Sequence, residues 1–420
     1  MSPVRPTVHV VGRRLEPAHY ELRDFLTRSA QPHEWYEAGT PEADELLERA
    51  GARDAELPVV IDGDSVLTGV TVASLREEWT SGSGVLKSEY DLAIVGAGPA
   101  GLAAAVYAAS DGLSTVVLES DLPGGQASHT SMIENFFGFP DGIGGAELAR
   151  RAGRQAERFG AELAIGNGVA GGAPSTDGAV RLRLESGDEI AATVVLTAAG
   201  MVWRRLEVEG VEELLGRGVY YGAGRSEAAQ CGGDDVAVVG AGNSAGQAVL
   251  HLANSGARVT MVVRGDRLAK SMSAYLVERI EKHPLIDVRL RTQVTELHAD
   301  GGDLSAVTLT GGVGGSQTRP AIALFLCIGG QPRTGWAEEA GVRTDAAGYV
   351  LTGPDLLIEG RRPDDWPLDR DPLALETSLP GLFAAGDLRH GSTKRVAGAV
   401  GEGAMAVALA HRRLEELAAT

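Results

Sequence analysis

Short apolar runs with the pattern of buried strands alternate with helical patterns along most of this chain. The run Tyr90 to Val95 leads straight into a glycine-rich turn, a helical stretch and a second apolar run, Thr115 to Leu118. The same order of strand, turn, helix and strand returns between Asp235 and Val263. Parallel strands covered by helices are continuous apolar runs, so this pattern predicts an α/β fold that contains two copies of one βαβ unit.

Residues 1–79 show a different order of elements. Their apolar positions predict β-α-β-α-β-β-α, with the third strand at Leu57 to Ile61 followed by the turn Asp62-Gly63. Beyond them, the stretches Arg181 to Glu185 and Glu189 to Leu196 alternate like antiparallel strands, and Thr352 to Pro372 has the composition of a surface loop.

Composition limits the possible functions. The chain has 420 residues, which predicts two or three domains, and its net charge of −19 argues against nucleic-acid binding because phosphates would be repelled. No apolar run reaches the roughly 18 residues needed to cross a bilayer, and residues 1–14 lack the apolar core of a signal peptide. Two cysteines, Cys231 and Cys327, do not suggest a disulfide framework, so we expect a cytoplasmic protein without nucleic-acid or membrane partners.

The first glycine-rich turn has the spacing of a dinucleotide-binding loop. Gly96 permits the tight turn, Gly98 lets backbone N–H groups approach a pyrophosphate, and Gly101 lets helix and strand pack closely. Glu119 ends the next strand, where a carboxylate can accept hydrogen bonds from an adenosine ribose. The residues predicted to bind the nucleotide here are Gly96, Gly98, Pro99, Ala100, Gly101 and Glu119.

The second turn keeps the fingerprint but changes the residue that follows it. Its strand ends in Arg264, with Arg267 and Lys270 close behind, where the first unit has an acid. Cations suit a 2′-phosphate, so this pattern favours NADPH over NADH, although the three basic residues could equally form a solvated helix start. The predicted binding residues are Gly240, Gly242, Asn243, Ser244, Ala245, Arg264 and Arg267.

From Tyr90 onward the chain resembles the thioredoxin reductase-like flavoproteins. The resemblance rests on Gly124-Gly125-Gln126 with Ile133 to Pro140, on Thr197 to Gly200, on Gly381 to Asp387, and on Arg395-Val396-Ala397. It implies two Rossmann-like three-layer domains, bound FAD, and an aspartate, Asp387, that holds the ribityl chain. It adds these FAD-binding residues: Gly125, Gln126, Asn135, Gly386, Asp387, Arg395, Val396 and Ala397.

The chain departs from that family at its redox site. The resemblance places the family's Cys-x-x-Cys at residues 223–226, which here are Ala-Gly-Arg-Ser. Electrons therefore cannot pass through an internal dithiol at that position. Cys231 has no partner in sequence, and Cys327 lies in an apolar run, so we interpret both as packed residues rather than redox groups.

Residues 1–79 resemble a glutaredoxin- or thioredoxin-like domain. The segment Leu57 to Gly63 matches the strand that carries a proline, usually cis, in such domains. Where they hold their active cysteines this chain has Arg14-Leu15-Glu16-Pro17. The predicted boundaries are 1–79 for this domain, 80–88 for a linker, 89–204 with 331–420 for the FAD-binding domain, and 205–330 for the NADPH-binding domain.

The combined pattern predicts an FAD-dependent NAD(P)H oxidoreductase that passes electrons to an external small molecule or redox protein. Domain rotation would be needed, with hinges near Met201 to Arg205 and Gly329 to Pro332. Alternatives are a ferredoxin/flavodoxin-NADP reductase-like enzyme and a non-catalytic, flavin-binding regulatory protein, with true thioredoxin reductase activity, which would need Cys231 alone or an external dithiol, ranked last. No acid–base residue is assigned, since His129 and His390 are interpreted as surface or packing residues. The resemblance further implies a homodimer.

Overall fold

The computed structural model describes residues 7–14, 16–75, 86–130, 132–175, 178–222, 231–312 and 315–419. The chain divides into two compact units. Unit 1 comprises residues 1–82, 129–131 and 203–329, and unit 2 comprises residues 83–128, 132–202 and 330–420. In the described part of the chain, no helix is long and apolar enough to span a membrane.

The N-terminal module, defined here as residues 7–75 of unit 1, contains a four-stranded sheet and two complete helices, and residues 72–75 are also helical. Strand β1 pairs in parallel with β2, to which it is connected through helix α1, and antiparallel with β3, which follows helix α2. The Leu57–Pro58 bond before β3 is cis, as the sequence pattern suggested. Its elements are β1 (Val8–Gly12), α1 (Pro17–Arg28), β2 (His33–Glu37), α2 (Pro41–Arg49), β3 (Val59–Asp62) and β4 (Ser65–Leu67).

Unit 2 is built on a mixed sheet in the order β7-β6-β5-β10-β9-β8, with β21 pairing with β10. Its central strands are apolar along their length because helices cover the sheet. The strands are β5 (Glu89–Val95), β6 (Thr115–Glu119), β7 (Glu162–Ile165), β8 (Val169–Pro174), β9 (Val180–Leu184), β10 (Glu189–Thr197) and β21 (Leu382–Ala384). The helices are α3 (Pro99–Ser110), α4 (Gly145–Phe159), α7 (Gly335–Glu339) and α8 (Val396–Ala418).

Helices α3 and α8 pack unusually close together because small residues meet at their crossing. A β-carbon at Gly403 would overlap the carbonyl oxygen of Ala100. Helix α3 is alanine-rich, and its alanines form much of the core against β5 and β10. This contact places helix α8, at Gly403, directly against the first turn of α3.

The second βαβ repeat forms the parallel sheet β12-β19-β13-β14-β15 of unit 1, and a three-stranded antiparallel sheet, β16-β17-β18, follows β15. The strands are β12 (Val219–Tyr221), β13 (Asp235–Val239), β14 (Arg258–Val263), β15 (Ile286–Leu290), β16 (Thr292–Asp300), β17 (Asp303–Gly311), β18 (Ser316–Pro320) and β19 (Ala323–Leu326). The helices are α5 (Asn243–Asn254) and α6 (Ala274–Glu281). Two short strands, β11 (Met201–Trp203) and β20 (Gly330–Pro332), pair with each other.

The elements predicted from the sequence match these within a few residues. The antiparallel pair β9 and β10 is confirmed, and residues 352–372 contain no strand or α-helix, only a short 3-10 turn at Gly353–Leu356. That segment is not wholly on the surface, since Thr352, Leu356 and Trp366 are buried. The linker stretch Thr80 to Gly84 and residues 223–226 lie outside the described residues.

Candidate functional site

The first glycine turn joins the end of β5 to the start of α3. Gly96 has a φ of +106°, and a β-carbon there would lie 2.5 Å from the carbonyl oxygen of Ala198. A β-carbon at Gly101 would overlap the oxygen of Gly96, so this position needs glycine for packing. At Gly98, by contrast, a β-carbon would meet nothing within 4 Å.

This open space lies at the N-terminus of α3, where Gly98 is the N-cap residue and provides no side chain to cap the helix. The first N–H groups of the helix therefore face a gap that a pyrophosphate fits by charge and by hydrogen bonding. Pro99 and Ala100 are the first two residues of the helix.

Glu119 holds the turn from the neighbouring strand. It is 8% exposed, and its Oε2 accepts a hydrogen bond from Ala97 N–H at 2.8 Å. Its Oε1 accepts a second from Asp121 N–H at 2.9 Å. Each carboxylate oxygen has two lone pairs, so acceptor capacity remains for a ribose hydroxyl.

A segment distant in sequence lies on the first glycine turn. Gly124 N–H donates to the oxygen of Ala97 at 2.7 Å, and a β-carbon on Gly125 would be 3.5 Å from the Cα of Gly98. Gln126 Nε2 donates to the oxygen of Met201 at 3.0 Å. Gly125 thus lies beside Gly98 and Gln126 is bonded to the backbone of Met201, whereas Asn135 is exposed on the loop that follows Ile133.

Asp387 follows β21 in unit 2, and it is half-buried. It accepts no hydrogen bond from any residue that the structure describes. Burial raises the pKa of its carboxyl group, and the nearby Lys394 ammonium offsets part of that rise. A half-buried acceptor without a protein donor suits a ligand hydroxyl, such as one on a ribityl chain.

Glu402 and Lys394, which the sequence analysis did not identify, hold the turn at Gly386 and Asp387 in place. Glu402 Oε2, on α8, accepts from Gly386 N–H at 2.7 Å, and Glu402 also pairs with Arg389 at 2.7 Å. Lys394 Nζ donates to the backbone oxygen of Asp387 and lies 4.2 Å from the centre of the Tyr349 ring. These contacts fix the Gly386 turn against α8, and no local motif would have indicated them.

Helix α8 begins at Val396, directly after Arg395, and no side chain caps its N-terminus. Val396 is half-buried, and Arg395 and Ala397 are exposed. The positive end of this 23-residue helix would favour negative charge on a bound group.

The second glycine turn repeats this design between β13 and α5. A β-carbon at Gly240 would overlap the oxygen of Cys327, and Gly242 again borders open space with no atom within 4 Å of a β-carbon. Ala245 is buried where the first repeat has its third glycine, and Ser244 is exposed. Asn243 Oδ1 accepts from Ser273 N–H at 2.7 Å, so its side chain braces the start of α6.

Arg264, Arg267 and Lys270 follow β14 and are exposed. They form no ion pair with any described residue, so their charge is available to an anion. The two histidines to which the sequence analysis gave no catalytic role each contact an aspartate. His129 lies in unit 1, 3.7 Å from Asp24 Oδ1, and His390 hydrogen-bonds Asp345 at 2.8 Å.

The two cysteines do not form a disulfide bond. Burial raises the pKa of the Cys327 thiol to about 12. Cys231 is 2% exposed, with its sulfur 3.8 Å from Nη2 of Arg14. Within the described part of the chain, no cluster of three or more His, Cys, Asp or Glu could hold a metal ion.

Sequence comparison identifies proteins that are similar to this chain. Residues 90–403 match the family described as pyridine nucleotide-disulphide oxidoreductase. Thioredoxin reductase of Bacillus subtilis is 34% identical over 333 residues, 79% of this chain and 96% of that protein. Thioredoxin reductase of Listeria monocytogenes is 33% identical over 335 residues, 78% of this chain and 95% of that protein.

Solved structures agree. The thioredoxin reductase of T. acidophilum superposes with a TM-score of 0.68 at 28% identity, covering 79% of this chain and 100% of that one. That of Lactococcus lactis gives a TM-score of 0.68 at 30% identity, covering 78% and 99%. The fold with two dinucleotide-binding domains is thereby confirmed. These matches leave out about a fifth of this chain.

Proposed function

This chain belongs to the pyridine nucleotide-disulphide oxidoreductase family, in its thioredoxin reductase-like branch, and we propose that it is an FAD-dependent NADPH oxidoreductase without an internal dithiol. The observation that carries the proposal is the pair of glycine turns that border open space at Gly98 and Gly242. One turn is followed by a buried acid and the other by exposed cations.

FAD is assigned to unit 2. The N-terminus of α3 would hold its pyrophosphate, Glu119 a ribose hydroxyl, and Asp387 the ribityl chain. The N-terminus of α8 would favour negative charge on the reduced ring system. The fit rests on the missing donor to the Asp387 carboxylate and on the empty space at Gly98.

NADPH is assigned to the second turn. The N-terminus of α5 would bind its pyrophosphate, and Arg264 with Arg267 its 2′-phosphate. An acid at the end of β14 would favour NADH, but this chain has Arg264 where the first repeat has Glu119. The domain boundaries predicted above, 89–204 with 331–420 and 205–330, remain part of this proposal.

The electron route is the point at which this chain is proposed to differ from its relatives. When bound, FAD would serve as the acceptor of a hydride from NADPH and then as the electron donor to the next acceptor. Two cysteines, at 231 and 327, occur in the whole sequence, and the first is enclosed beside Arg14. An external acceptor, a small molecule or a redox protein, would therefore take electrons from the flavin without passing through sulfur in this chain.

The test is an anaerobic titration of the purified full chain with NADPH, followed at the absorption band of the flavin. We expect stoichiometric bleaching with NADPH and slower bleaching with NADH. A variant with both cysteines replaced by serine should bleach equally. A protein that binds FAD but is not reduced would support the regulatory alternative, and one that takes up no FAD would refute the assignment altogether.

The acceptor can then be sought with the reduced chain. Quinones, oxygen, small disulfides and cytochrome c with and without ferredoxin form the panel. Stimulation of cytochrome c reduction by ferredoxin would favour the ferredoxin reductase alternative, which the net charge of −19 disfavours for an acidic ferredoxin.

A further inference from the structure

The carboxyl ends of three neighbouring strands in unit 1 meet at one edge of the parallel sheet. Strands β13, β14 and β15 are adjacent and parallel, and Val263 pairs with Leu290 where the last two of them end. The residues that follow the three strands are Gly240, Arg264 and Arg291. Neighbouring strands lie about 4.8 Å apart, so a glycine turn and two arginines come side by side at this edge. Ligands of open α/β sheets bind at the carboxyl ends of the strands.

Backbone contacts hold Arg291 next to the loop that carries Arg264. The N–H of Arg291 donates to the oxygen of Gly265 at 2.8 Å. On β17, a β-carbon at Gly311 would be 2.3 Å from the oxygen of Arg291, so this strand packs directly on the residue. Arg291 is the one residue between β15 and β16, and its φ is +53°. Its position at the sheet edge is therefore fixed by both neighbours.

The loop that follows β14 is in turn bound to the second glycine turn. Ser271 Oγ, directly after Lys270, donates to the oxygen of Ala241 at 2.8 Å. Under the proposed function, pyrophosphate would bind at that turn and the 2′-phosphate beside Arg264. Two hydrogen bonds thus connect Arg291, through this loop, to the place assigned to the nucleotide.

The charge of these connections is opposite to that of the chain as a whole. Residues 264–270 and 291 contain four cations and one acid, Asp266, whereas the chain has a net charge of −19. Arg291 is exposed, and among the residues that the structure describes none forms an ion pair with it. A guanidinium without a carboxylate partner keeps its donors for a phosphate.

We propose that Arg291 is a specificity-determining residue that contacts the 2′-phosphate of NADPH together with Arg264 and Arg267. This inference rests on the proposed function, which assigns NADPH to the second turn, and adds a residue from the next strand to that site. A planar guanidinium can donate two parallel hydrogen bonds to a phosphate. Loss of Arg291 should therefore reduce the preference for the phosphorylated nucleotide and leave nucleotide binding itself intact.

The test measures binding of NADP⁺ and NAD⁺ to the purified full chain, saturated with FAD, by isothermal titration calorimetry. The two nucleotides differ only in the 2′-phosphate, and neither can reduce the flavin. The Kd for NAD⁺ divided by the Kd for NADP⁺ therefore reports recognition of that phosphate. The ionic strength is kept low and constant, because salt screens exposed charges.

Three variants separate the charge of Arg291 from its backbone. Arg291→Asn removes the charge and introduces a residue that tolerates positive φ, so the turn should be kept. Arg291→Lys retains the charge at the same place. The matched control is Lys282→Asn, which removes an exposed cation between α6 and the amino end of β15, at the opposite edge of the sheet. Urea unfolding shows whether each variant is as stable as the unchanged chain.

We expect the Kd ratio to fall about fivefold or more in Arg291→Asn, through weaker binding of NADP⁺, with the Kd for NAD⁺ kept within about twofold. Arg291→Lys should recover part of the loss, and Lys282→Asn should match the unchanged chain. Equal ratios in Arg291→Asn and Lys282→Asn would overturn the inference. Equal weakening of both nucleotides, or no recovery in Arg291→Lys, would do the same.

These outcomes are distinct from a failure of the proposed function. If the unchanged chain prefers NADP⁺ and Arg291→Asn keeps that preference, the inference alone is wrong and the assignment of NADPH stands. If the unchanged chain shows no preference for NADP⁺, both the assignment of NADPH and the role of Arg291 are refuted.

Discussion

Glu119 Oε2 and the backbone N–H of Ala97 are joined by a hydrogen bond of 2.8 Å, which ties the end of β6 to the first glycine turn. The other oxygen of the same carboxylate holds Asp121 N–H at 2.9 Å. One buried side chain thus shapes the turn that would bind pyrophosphate, and under the proposed function the same side chain would accept a hydrogen bond from a ribose. The two roles can be separated by mutation.

Replacement of Glu119 by alanine should weaken FAD binding at least tenfold and destabilise the protein by about 1–3 kcal/mol, because two backbone N–H groups lose their acceptor. FAD fluorescence titration and urea unfolding measure the two effects. Glu119→Gln keeps one acceptor oxygen and should recover most of the stability. Glu189→Ala, at an exposed strand position, is the control. An unchanged FAD affinity in Glu119→Ala would exclude the proposed ribose contact.

Gly98 and Gly101 should respond oppositely to substitution. Gly98→Asp finds open space, so the protein should fold normally but repel pyrophosphate and be purified without FAD. Gly101→Ala overlaps the oxygen of Gly96 and should impair folding itself. Circular dichroism and flavin content distinguish the two results. Normal FAD content in Gly98→Asp would place the cofactor elsewhere.

Glu376 is fully buried and secures the chain that leads into β21 and Asp387. It pairs with Arg370 at 2.6 Å and accepts from the N–H groups of Leu373 and Gly381. Glu376→Gln leaves Arg370 paired with Glu416 and turns a buried amide NH2 toward groups that need an acceptor, so a loss of about 1–3 kcal/mol is expected. Thermal and urea unfolding check this, with Glu415→Gln, exposed on α8, as control. A cost under about 1 kcal/mol would contradict it, as for a surface pair.

The thiol of Cys327 should resist alkylation well above neutral pH. Burial disfavours its thiolate and raises the pKa to about 12, so at pH 8 the reactive form is scarce. Because the folded pKa lies above the unfolded value of about 8.5, this group also lowers stability as pH rises from there toward 12. Iodoacetamide labelling at several pH values measures the first effect, with urea-unfolded protein as reference. Equal labelling of folded and unfolded chains at pH 8 would disprove it.

Local spacing explains what the sequence could predict. Gly96, Gly98, Gly101 and Glu119 fall within one βαβ unit, so their order along the chain determines their arrangement in space. The cis bond at Pro58 is likewise local. Such features can be inferred without knowing how distant segments pack.

Features that depend on distant contacts could not be predicted. The link between Glu402 and Gly386 requires the register of α8 against β21, and nothing in the sequence near Gly386 indicates it. The tilted ring contact between Tyr20 and Tyr220 joins residues 200 positions apart. The sequence shows two tyrosines with largely apolar rings, but it does not show that these two rings contact each other. The contact between the N-terminal module and the parallel sheet of unit 1 could therefore be seen only in the structure.

Arg264 and Arg267 should determine the choice of nicotinamide cofactor. Both are exposed at the end of β14 and form no ion pair with described residues, so their loss should not lower stability. Replacing both by alanine should raise the KM for NADPH about tenfold to a hundredfold, since a charge-assisted hydrogen bond contributes about 1.5–3 kcal/mol. The KM for NADH should stay within about twofold, because NADH has no 2′-phosphate to lose. Steady-state reduction of an artificial acceptor measures both constants. Arg154→Ala, an exposed arginine on α4, should change neither. Equal weakening of NADPH and NADH would mean that these arginines act on the shared pyrophosphate, and the second turn would then not discriminate between the two nucleotides.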